Sequence, residues 1–339
     1  MGPDFFVPLL LPLAAWPLAK LAVPKLSPWL ASWVLTVSSL VLAAGSTATL
    51  LVQAFAGLSL IPVIAQFGDF SPATFREFDA VNVPVSFCCG ITLILVFAAL
   101  CRAALRYYRW ARRVHAELDT YSRDGGVIVL LGQEPVAFAV PGRGGRIAIS
   151  CGMLAALGPA ERTALLAHEG AHLRFRHYLF AAGVAVSSVL NPLVYPLGVA
   201  TRFALERWAD EAAARRVGDR ALVAMAVAKA ALADTTTPSF TLAASGGAVP
   251  QRVAALLAAP SPRRGLAAPL ALLGAALVLA TAIGSAGAAL DGATDLHAGI
   301  EVAQGRVCPH RHHTVVGEGP HGQAVFVTVR QQRRECAQG

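Results

Sequence analysis

Four long apolar runs, almost free of charged residues, limit what this chain can fold into. They are Phe5–Ala19, Trp29–Phe55, Val85–Leu105 and Leu266–Leu290. A helix of about 20 apolar residues crosses the hydrocarbon core of a bilayer. Only 14% of the residues are charged, whereas about 25% is usual for a soluble domain. We therefore predict a mainly α membrane protein with about four transmembrane helices.

Basic residues indicate which side of the membrane each part faces. Lys20 and Lys25 follow the first run, and a cluster of arginines lies at the end of the third, at Arg102, Arg106, Arg109, Arg112 and Arg113. Because cytoplasmic flanks carry an excess of Lys and Arg, we expect the N-terminus outside and residues 106–265 on the cytoplasmic side. The uncharged stretch Trp29–Gln66 is interpreted as one crossing with an apolar extension at the outer interface.

This layout predicts a multi-pass protein of the plasma membrane in four parts. They are an N-terminal membrane domain at 1–106, a cytoplasmic unit at 107–265, a fourth transmembrane helix at 266–290 and a small extracytoplasmic tail at 291–339. The lipid bilayer is the expected partner of the apolar runs. The net charge of +8 does not predict nucleic-acid binding, because the arginines collect at the predicted cytoplasmic face. No GxxxxGK[ST] or CxxC motif occurs, so phosphate loops of that type and thiolate zinc sites are not predicted.

The cytoplasmic unit begins with a short β section. Val127–Leu131, Val136–Val140 and Arg146–Ser150 have the composition of strands. The glycine-rich stretch at 142–146 predicts a hairpin turn between the last two. A helix is expected to begin near Pro159, because proline is tolerated in the first turn of a helix.

That helix carries the sequence His-Glu-Gly-Ala-His at residues 168–172. His168 and His172 are one helical turn apart, so both imidazoles can reach one ion, and Glu169 can touch a water bound to that ion. The flanking residues are apolar, for example Leu165 and Ala171, and burying these polar groups without a partner would cost several kcal/mol. The HExxH spacing therefore predicts a zinc-hydrolase type of metal site.

Two histidines leave a catalytic zinc short of the usual three protein ligands. Glu206 and Asp210 lie downstream and are again four positions apart, so they project from one helix face. One of them can bind the ion while the other accepts the N–H of a ligand imidazole. The alternative is an ordinary charged helix face, shared with Glu211 and the neighbouring arginines.

The apolar stretch between these motifs, Tyr178–Phe203, is long enough to be a membrane span. If it crossed, Glu206 would lie on the opposite side from His168 and His172, and no common site could form. We therefore predict a helical hairpin, or a half-inserted pair of helices, bent at Asn191-Pro192. Irregular backbone at membrane depth is tolerated where protein covers it, and such a hairpin places the site at the cytoplasmic membrane surface.

The order of these elements resembles the BlaR/MecR family of membrane metallopeptidases, over roughly residues 5–290. HEGAH and ERWAD carry the resemblance, and Gln251–Leu256 is similar to the RVxxL segment of that family. HtpX-like and CAAX-protease-like enzymes share the two motifs. The resemblance implies a zincin-like unit with His168, His172 and Glu206 as zinc ligands, Glu169 as base and Asp210 behind a ligand.

These features predict a membrane zinc endopeptidase with one Zn²⁺ ion. The expected substrate is a cytoplasmic or membrane protein, with a transcriptional repressor as a candidate and signal transduction as the role. Glu169 would take a proton from the attacking water, and the β section could bind an extended peptide as an added strand. The sequence does not identify the residue that stabilises the oxyanion. Arg252 is a conceivable candidate, but its interpretation as a solvated helix residue is favoured. The alternatives are an HtpX-like quality-control protease and a non-catalytic zinc-binding signalling protein.

The tail at 291–339 contains no serine. Acylation of a serine by a β-lactam, as in antibiotic-sensing relatives, is therefore not expected there. The tail holds five of the nine histidines, together with Cys308 and Cys336. Two interpretations stay open, a metal-sensing tail or a small flap closed by a disulfide between these cysteines. Val325–Arg330 is predicted to be a strand.

Overall fold

A computed structural model describes residues 6–22, 26–68, 71–74, 82–121, 126–142, 144–233, 248–258, 267–304, 312–318 and 324–330. These residues are mostly helical with a small sheet, as predicted. The chain divides into two compact units. The larger contains Pro8–Ser46 and Val96–Ala286, and the smaller contains Met1–Val7, Thr47–Leu95 and Gly287–Gly339.

The N-terminal apolar runs form four helices, α1 (Val7–Ala22), α2 (Pro28–Leu58), α3 (Pro62–Phe67) and α4 (Val83–Leu118). Within the described residues, three helices are long and apolar enough to cross a membrane, namely α2, α4 and Leu272–Ala303. The first predicted span is the 16-residue α1. Such a helix is about 24 Å long, which is shorter than the hydrocarbon core of about 30 Å. Length and composition therefore support three of the four predicted spans.

Two of these helices differ in extent from the apolar runs that predicted them. α2 is continuous from Pro28 to Leu58 and is followed by the six-residue α3. This arrangement agrees with one crossing in this stretch rather than two. α4 has 36 residues and continues through the arginine cluster to Leu118, so the third apolar run and the basic residues share one helix.

The predicted β section forms a three-stranded sheet of β1 (Val127–Leu130), β2 (Ala137–Val140) and β3 (Arg146–Ser150). The strand order is β1-β3-β2, with β1 parallel and β2 antiparallel to β3. The turn between β2 and β3 is the predicted hairpin, and Gly145 there has a φ of 47°, a conformation that glycine adopts without steric strain. The order leaves β2 at one edge of the sheet.

Among the described residues, six helices lie between the sheet and the last long helix. They are α5 (Cys151–Ala156), α6 (Pro159–Arg174), α7 (His177–Leu190), α8 (Tyr195–Val217), α9 (Arg220–Ala233) and α10 (Ala248–Leu257). α6 begins at Pro159, as predicted, and packs against α8 and α9. α10 packs against α9 and α8.

The apolar stretch between the two motifs is bent, as predicted. α7 ends at Leu190, a short 3₁₀ turn covers Pro192–Val194, and α8 returns from there. The buried Asn191 holds this bend, because its side-chain oxygen accepts the N–H of Leu193 at 2.9 Å. Its amide nitrogen donates to Ser46 Oγ of α2 at 2.8 Å.

α7 lies alongside α2 and runs in the same direction. Near its start, the ring of Phe180 contacts the ring of Trp33 with centroids 4.9 Å apart. Just beyond its end, Asn191 contacts Ser46. The hairpin therefore lies beside the first half of a helix that is long and apolar enough to cross a membrane.

The last long helix, α11 (Ala267–Ala303), completes the apolar core around this hairpin. Buried residues of α1, α2, α8 and α11 form one cluster, which includes Ala15, Leu35, Leu42, Leu197 and Val278. The hairpin arm α8 is thus enclosed by apolar helices on the side away from the sheet.

In the smaller unit, the end of α2 packs on the end of α11. Ala56 and Ala303 are buried there, with Ile300 beside them. The unit also contains a hairpin of β4 (His312–Glu318) and β5 (Ala324–Arg330), so the predicted strand Val325–Arg330 is confirmed. The predictions on Cys308, Cys336, His310 and His321 lie outside the described residues.

Candidate metal centre

His168, His172 and Glu206 meet at one point between α6 and α8. The Nε2 atoms of the two histidines are 3.2 Å apart. Glu206 Oε2 lies 3.4 Å from His168 Nε2, and Glu206 Oε1 lies 3.6 Å from His172 Nε2. In the part of the chain that the structure describes, this is the group of side chains that could hold a metal ion. The structure therefore brings together the three predicted ligands.

The separations between the two Nε2 atoms and between each Nε2 atom and its nearer Glu206 oxygen suit a tetrahedral ion. Ligands at about 2.0–2.1 Å from a tetrahedral centre, the range of zinc–nitrogen and zinc–oxygen bonds, are about 3.3 Å from one another. The observed separations of 3.2, 3.4 and 3.6 Å lie around this value. The donor set of two imidazoles and a carboxylate fits a metal ion with one coordination position left for water.

Asp210 lies behind His168, where the sequence predicted a residue that supports a ligand. Its Oδ1 atom is 3.0 Å from His168 Nδ1, and the side chain is only 2% exposed. A carboxylate at this position favours the proton on Nδ1 and leaves the Nε2 lone pair for a metal. His168 is therefore oriented from its far side.

Arg252 of α10 holds Asp210, so its interpretation as a solvated residue is wrong. The guanidinium donates to both Asp210 oxygens, each at 2.7 Å, and its Nη1 atom is 3.0 Å from Glu206 Oε2. The side chain is 12% exposed. Sequence reasoning missed this contact because nothing in the spacing of α8 and α10 shows which face of α10 turns towards Asp210.

His177 is a second residue whose part in the site the sequence analysis missed. Its Nδ1 atom lies 3.1 Å from His172 Nδ1, and the residue is 2% exposed. The ring of Trp208 is 4.7 Å from the His177 ring between centroids. The sequence signal that could have indicated this role is a third histidine five positions after His172.

Glu169, the predicted base, faces the same cavity as the ligands. Burial raises the pKa of Glu169 to about 7, although the nearby His168 and a hydrogen bond from the Ala139 N–H act in the opposite direction. A carboxyl group with such a pKa can both accept and release a proton near neutral pH.

The charges around the ligands favour a cation. Burial would raise the pKa of Glu206, but contact with His168 and Arg252 holds it below the usual range. Burial also lowers the pKa of His172 to about 4. Burial has the same direction for His168, but Asp210 and Glu206 outweigh it and raise the pKa to about 10. The site thus combines ionised carboxylates with a neutral imidazole at His172.

A cavity of about 690 Å³ opens over these residues. Its walls include the edge strand β2, the start of α7 with Tyr178, and the apolar side of α9 with Val227. Ser150 N–H donates to Val136 O at 2.9 Å, so this pair is hydrogen-bonded across β3 and β2. Because such pairs alternate along an antiparallel ladder, the backbone polar groups of Ala137 and Ala139 point away from β3.

Two histidines one turn apart, a carboxylate from a second helix and a half-buried glutamate in the same cavity are the arrangement expected of an HExxH metallopeptidase. The comparison with protein families agrees with this class. Residues 108–205 match the model of peptidase family M48, which supports a metallopeptidase. The match begins in α4 and ends one residue before Glu206. Searches of curated proteins and of solved structures found no match.

Proposed function

We propose that this protein is a membrane-embedded zinc endopeptidase that hydrolyses peptide bonds in a cytoplasmic or membrane protein. A transcriptional repressor is the candidate substrate, in a signalling role like that of the BlaR/MecR family. The convergence of His168, His172 and Glu206 beside Glu169 carries this proposal. The family match over residues 108–205 supports it independently.

The chemistry follows from the positions of the side chains. A zinc ion held by His168, His172 and Glu206 would polarise the scissile carbonyl and lower the pKa of a bound water. Glu169 takes the proton of the attacking water and passes it to the leaving amine. Asp210 fixes the ring of His168, while Arg252 neutralises Asp210 and stays in contact with Glu206.

The edge strand β2 provides a place for an extended substrate. Ala137 and Ala139 lie along the cavity wall. The outward N–H of Ala137 and the outward C=O groups of both residues can pair with a peptide strand. The N–H of Ala139 is already bonded to Glu169, so the substrate backbone would lie directly next to the base. This placement supports cleavage within a chain rather than only at its end.

The position of the hairpin supports a site at the cytoplasmic membrane surface. α7 begins at His177, next to the ligands, and lies beside α2 from Trp33 to Ser46. The outer faces of the hairpin carry exposed apolar residues, among them Leu179, Val186, Tyr195 and Val199. An apolar face of this kind suits contact with lipid chains.

The variant Glu169→Gln tests the catalytic proposal. We expect purified Glu169→Gln protein to bind one zinc ion per chain, as the unaltered protein does, but to hydrolyse peptides at least about 100-fold more slowly because the base is lost. Chelation should abolish hydrolysis by the unaltered protein, and added zinc should restore it. Retained hydrolysis in Glu169→Gln would overturn the mechanism. Bound zinc without any hydrolysis in the unaltered protein would favour a non-catalytic signalling protein.

A quality-control protease is the second candidate, because main-chain pairing along an alanine-lined strand selects no particular sequence. The inactive Glu169→Gln protein also separates these two candidates, since it can retain substrates in cells. Proteins retained by Glu169→Gln can be cross-linked to it in cells and identified. One predominant partner supports a dedicated substrate such as a repressor. Many unrelated membrane proteins would support quality control.

A further inference from the structure

The buried His177 lies behind His172, on the side away from the other ligands. We propose that His177 is a positioning residue of the metal centre, which accepts a hydrogen bond from His172 Nδ1 and thereby presents His172 Nε2 to the metal. The inference rests on the proposed metal centre and goes beyond it, because neither HExxH nor the downstream glutamate assigns a role to His177.

The two nitrogens of the His172 ring face different partners. Nε2 is 3.2 Å from His168 Nε2 and 3.6 Å from a Glu206 oxygen, on the side where the ligands converge. Nδ1 is 3.1 Å from His177 Nδ1. A hydrogen bond between these two Nδ1 atoms requires that one ring donates and the other accepts.

Metal binding decides which ring donates. His172 Nε2 must carry a lone pair to bind an ion, so the proton of the neutral ring lies on Nδ1 and is donated to His177 Nδ1. His177 must then carry its own proton on Nε2. This Nε2 atom is fully buried and has no hydrogen-bond partner among the described residues. A buried N–H without a partner is unfavourable, which argues that His177 is kept for the acceptor at Nδ1.

Aromatic side chains fix the orientation of the His177 ring. Trp208 lies at a centroid distance of 4.7 Å, Phe175 is stacked at 6.0 Å, and Phe180 meets the ring edge-on at 6.4 Å. The ring is only 2% exposed. The acceptor for His172 is therefore held in place by packing before any ion binds.

The two histidine ligands are thus supported in different ways. His168 has a carboxylate behind it, Asp210 at 3.0 Å, and that carboxylate is neutralised by Arg252. His172 has a neutral imidazole at 3.1 Å. A second carboxylate in the place of His177 would bring a further buried negative charge near Glu206, which is unfavourable without another cation.

The matched variants His177→Asn and His177→Leu test this role. Asn and Leu have the same number and branching of side-chain heavy atoms, but the Asn side-chain oxygen can take the place of Nδ1 and accept the His172 proton, whereas Leu cannot. We expect His177→Leu to weaken zinc binding by about 10- to 100-fold, the usual effect of losing a residue that supports a metal ligand. His177→Asn should stay within a few-fold of the unaltered protein. Zinc affinity is measured by competition with a chelator on the full chain in detergent.

Absorption of the cobalt-substituted protein gives a readout that packing alone does not move. We expect the cobalt bands to shift in His177→Leu and to return in His177→Asn. Val184→Ala changes the packing of a buried residue further along α7, away from the His177 ring, and should leave affinity and spectrum unchanged. If His177→Leu does not fold, His177→Phe keeps an aromatic ring in the cluster and is expected to weaken zinc binding to the same extent.

Three outcomes would overturn the inference. They are unchanged zinc affinity in folded His177→Leu or His177→Phe, equal losses in His177→Asn and His177→Leu, or an equal loss in Val184→Ala. With zinc binding and hydrolysis intact in the unaltered protein, such results remove only the role of His177. Absence of zinc binding in the unaltered protein would instead contradict the proposed metal centre itself.

Discussion

At the scale of single residues, one arginine contacts both Glu206, a predicted metal ligand, and Asp210, the carboxylate behind the predicted ligand His168. Arg252 makes two hydrogen bonds to Asp210 and a third contact with Glu206. Asp210 is 2% exposed and Arg252 12% exposed, so the pair is largely removed from water. A buried pair of this kind holds positions accurately, but it leaves an uncompensated charge when one partner is removed.

We expect Arg252→Met to destabilise the protein by about 3–5 kcal/mol, because Asp210 stays buried without its partner. Zinc affinity and peptide hydrolysis should fall as well, since Asp210 and Glu206 lose their common neighbour. Thermal unfolding and chelator competition measure the two effects. Arg216→Met on the exposed end of α8 is the control and should change little. A protein as stable as the unaltered one would contradict the pairing seen here.

At the scale of elements, the helix that carries HExxH is fixed at its start by one carboxylate. Glu161 accepts the Gly158 N–H at 2.8 Å, which caps a free donor at the N-terminus of α6. The same side chain binds Lys229 Nζ of α9 at 2.6 Å. The cap therefore also fixes α6 against the helix that forms the apolar wall of the cavity.

The Glu161 contacts predict a pH-dependent part of the stability. The hydrogen bond from Lys229 and the one from Gly158 lower the pKa of Glu161 below its usual value of about 4.3. A lowered carboxyl pKa stabilises the folded state above the unfolded-state value, and this contribution is lost as the pH falls through the folded-state pKa. Glu161→Gln should therefore lower the melting temperature at pH 7, with a smaller difference below about pH 4.

Thermal unfolding from pH 7 to pH 3.5 measures this effect. Glu134→Gln, at an exposed position in the loop before β2, provides the control. The same melting-temperature difference at both ends of the range would contradict the assigned role of Glu161.

The elements were largely predictable from the sequence, whereas the contacts behind the ligands were not. Strand composition, the proline at the start of α6 and the break at Asn191-Pro192 are local signals, and each corresponds to an element of the structure. The hairpin was predictable because Glu206 can reach His168 and His172 only if the stretch between the two motifs turns back. Arg252 and His177 could not be assigned in this way, since their roles depend on which face of a helix packs against a distant neighbour.

At the scale of the whole molecule, the number of crossings determines the side on which the N-terminus lies. Three helices are long and apolar enough to cross, and α1 is the shorter fourth candidate. With four crossings and a cytoplasmic site, the N-terminus is outside; with three, it is inside. Lys20 in the last turn of α1 and Lys25 after it lie on the cytoplasmic side in both arrangements. Residues 1–6 contain Asp4 and no Lys or Arg, which favours the first arrangement.

We expect a cysteine at Gly2 to be labelled by a membrane-impermeant maleimide in intact cells, in a protein from which the native cysteines have been removed. A cysteine at Arg113 should be labelled only after the cells are permeabilised, because that position is predicted to be cytoplasmic. Labelling at Gly2 only after permeabilisation would show that α1 does not cross. Labelling at Arg113 in intact cells would contradict the cytoplasmic site.

The hairpin also determines when the metal centre can exist during synthesis. The histidines are made first, Glu206 and Asp210 follow within the second arm of the hairpin, and Arg252 comes later still. A growing chain therefore carries an incomplete ligand set until α8 has folded back against α6. A chain whose hairpin inserts straight through the bilayer never completes the set. Newly made and wrongly inserted molecules therefore lack the complete set of predicted metal ligands.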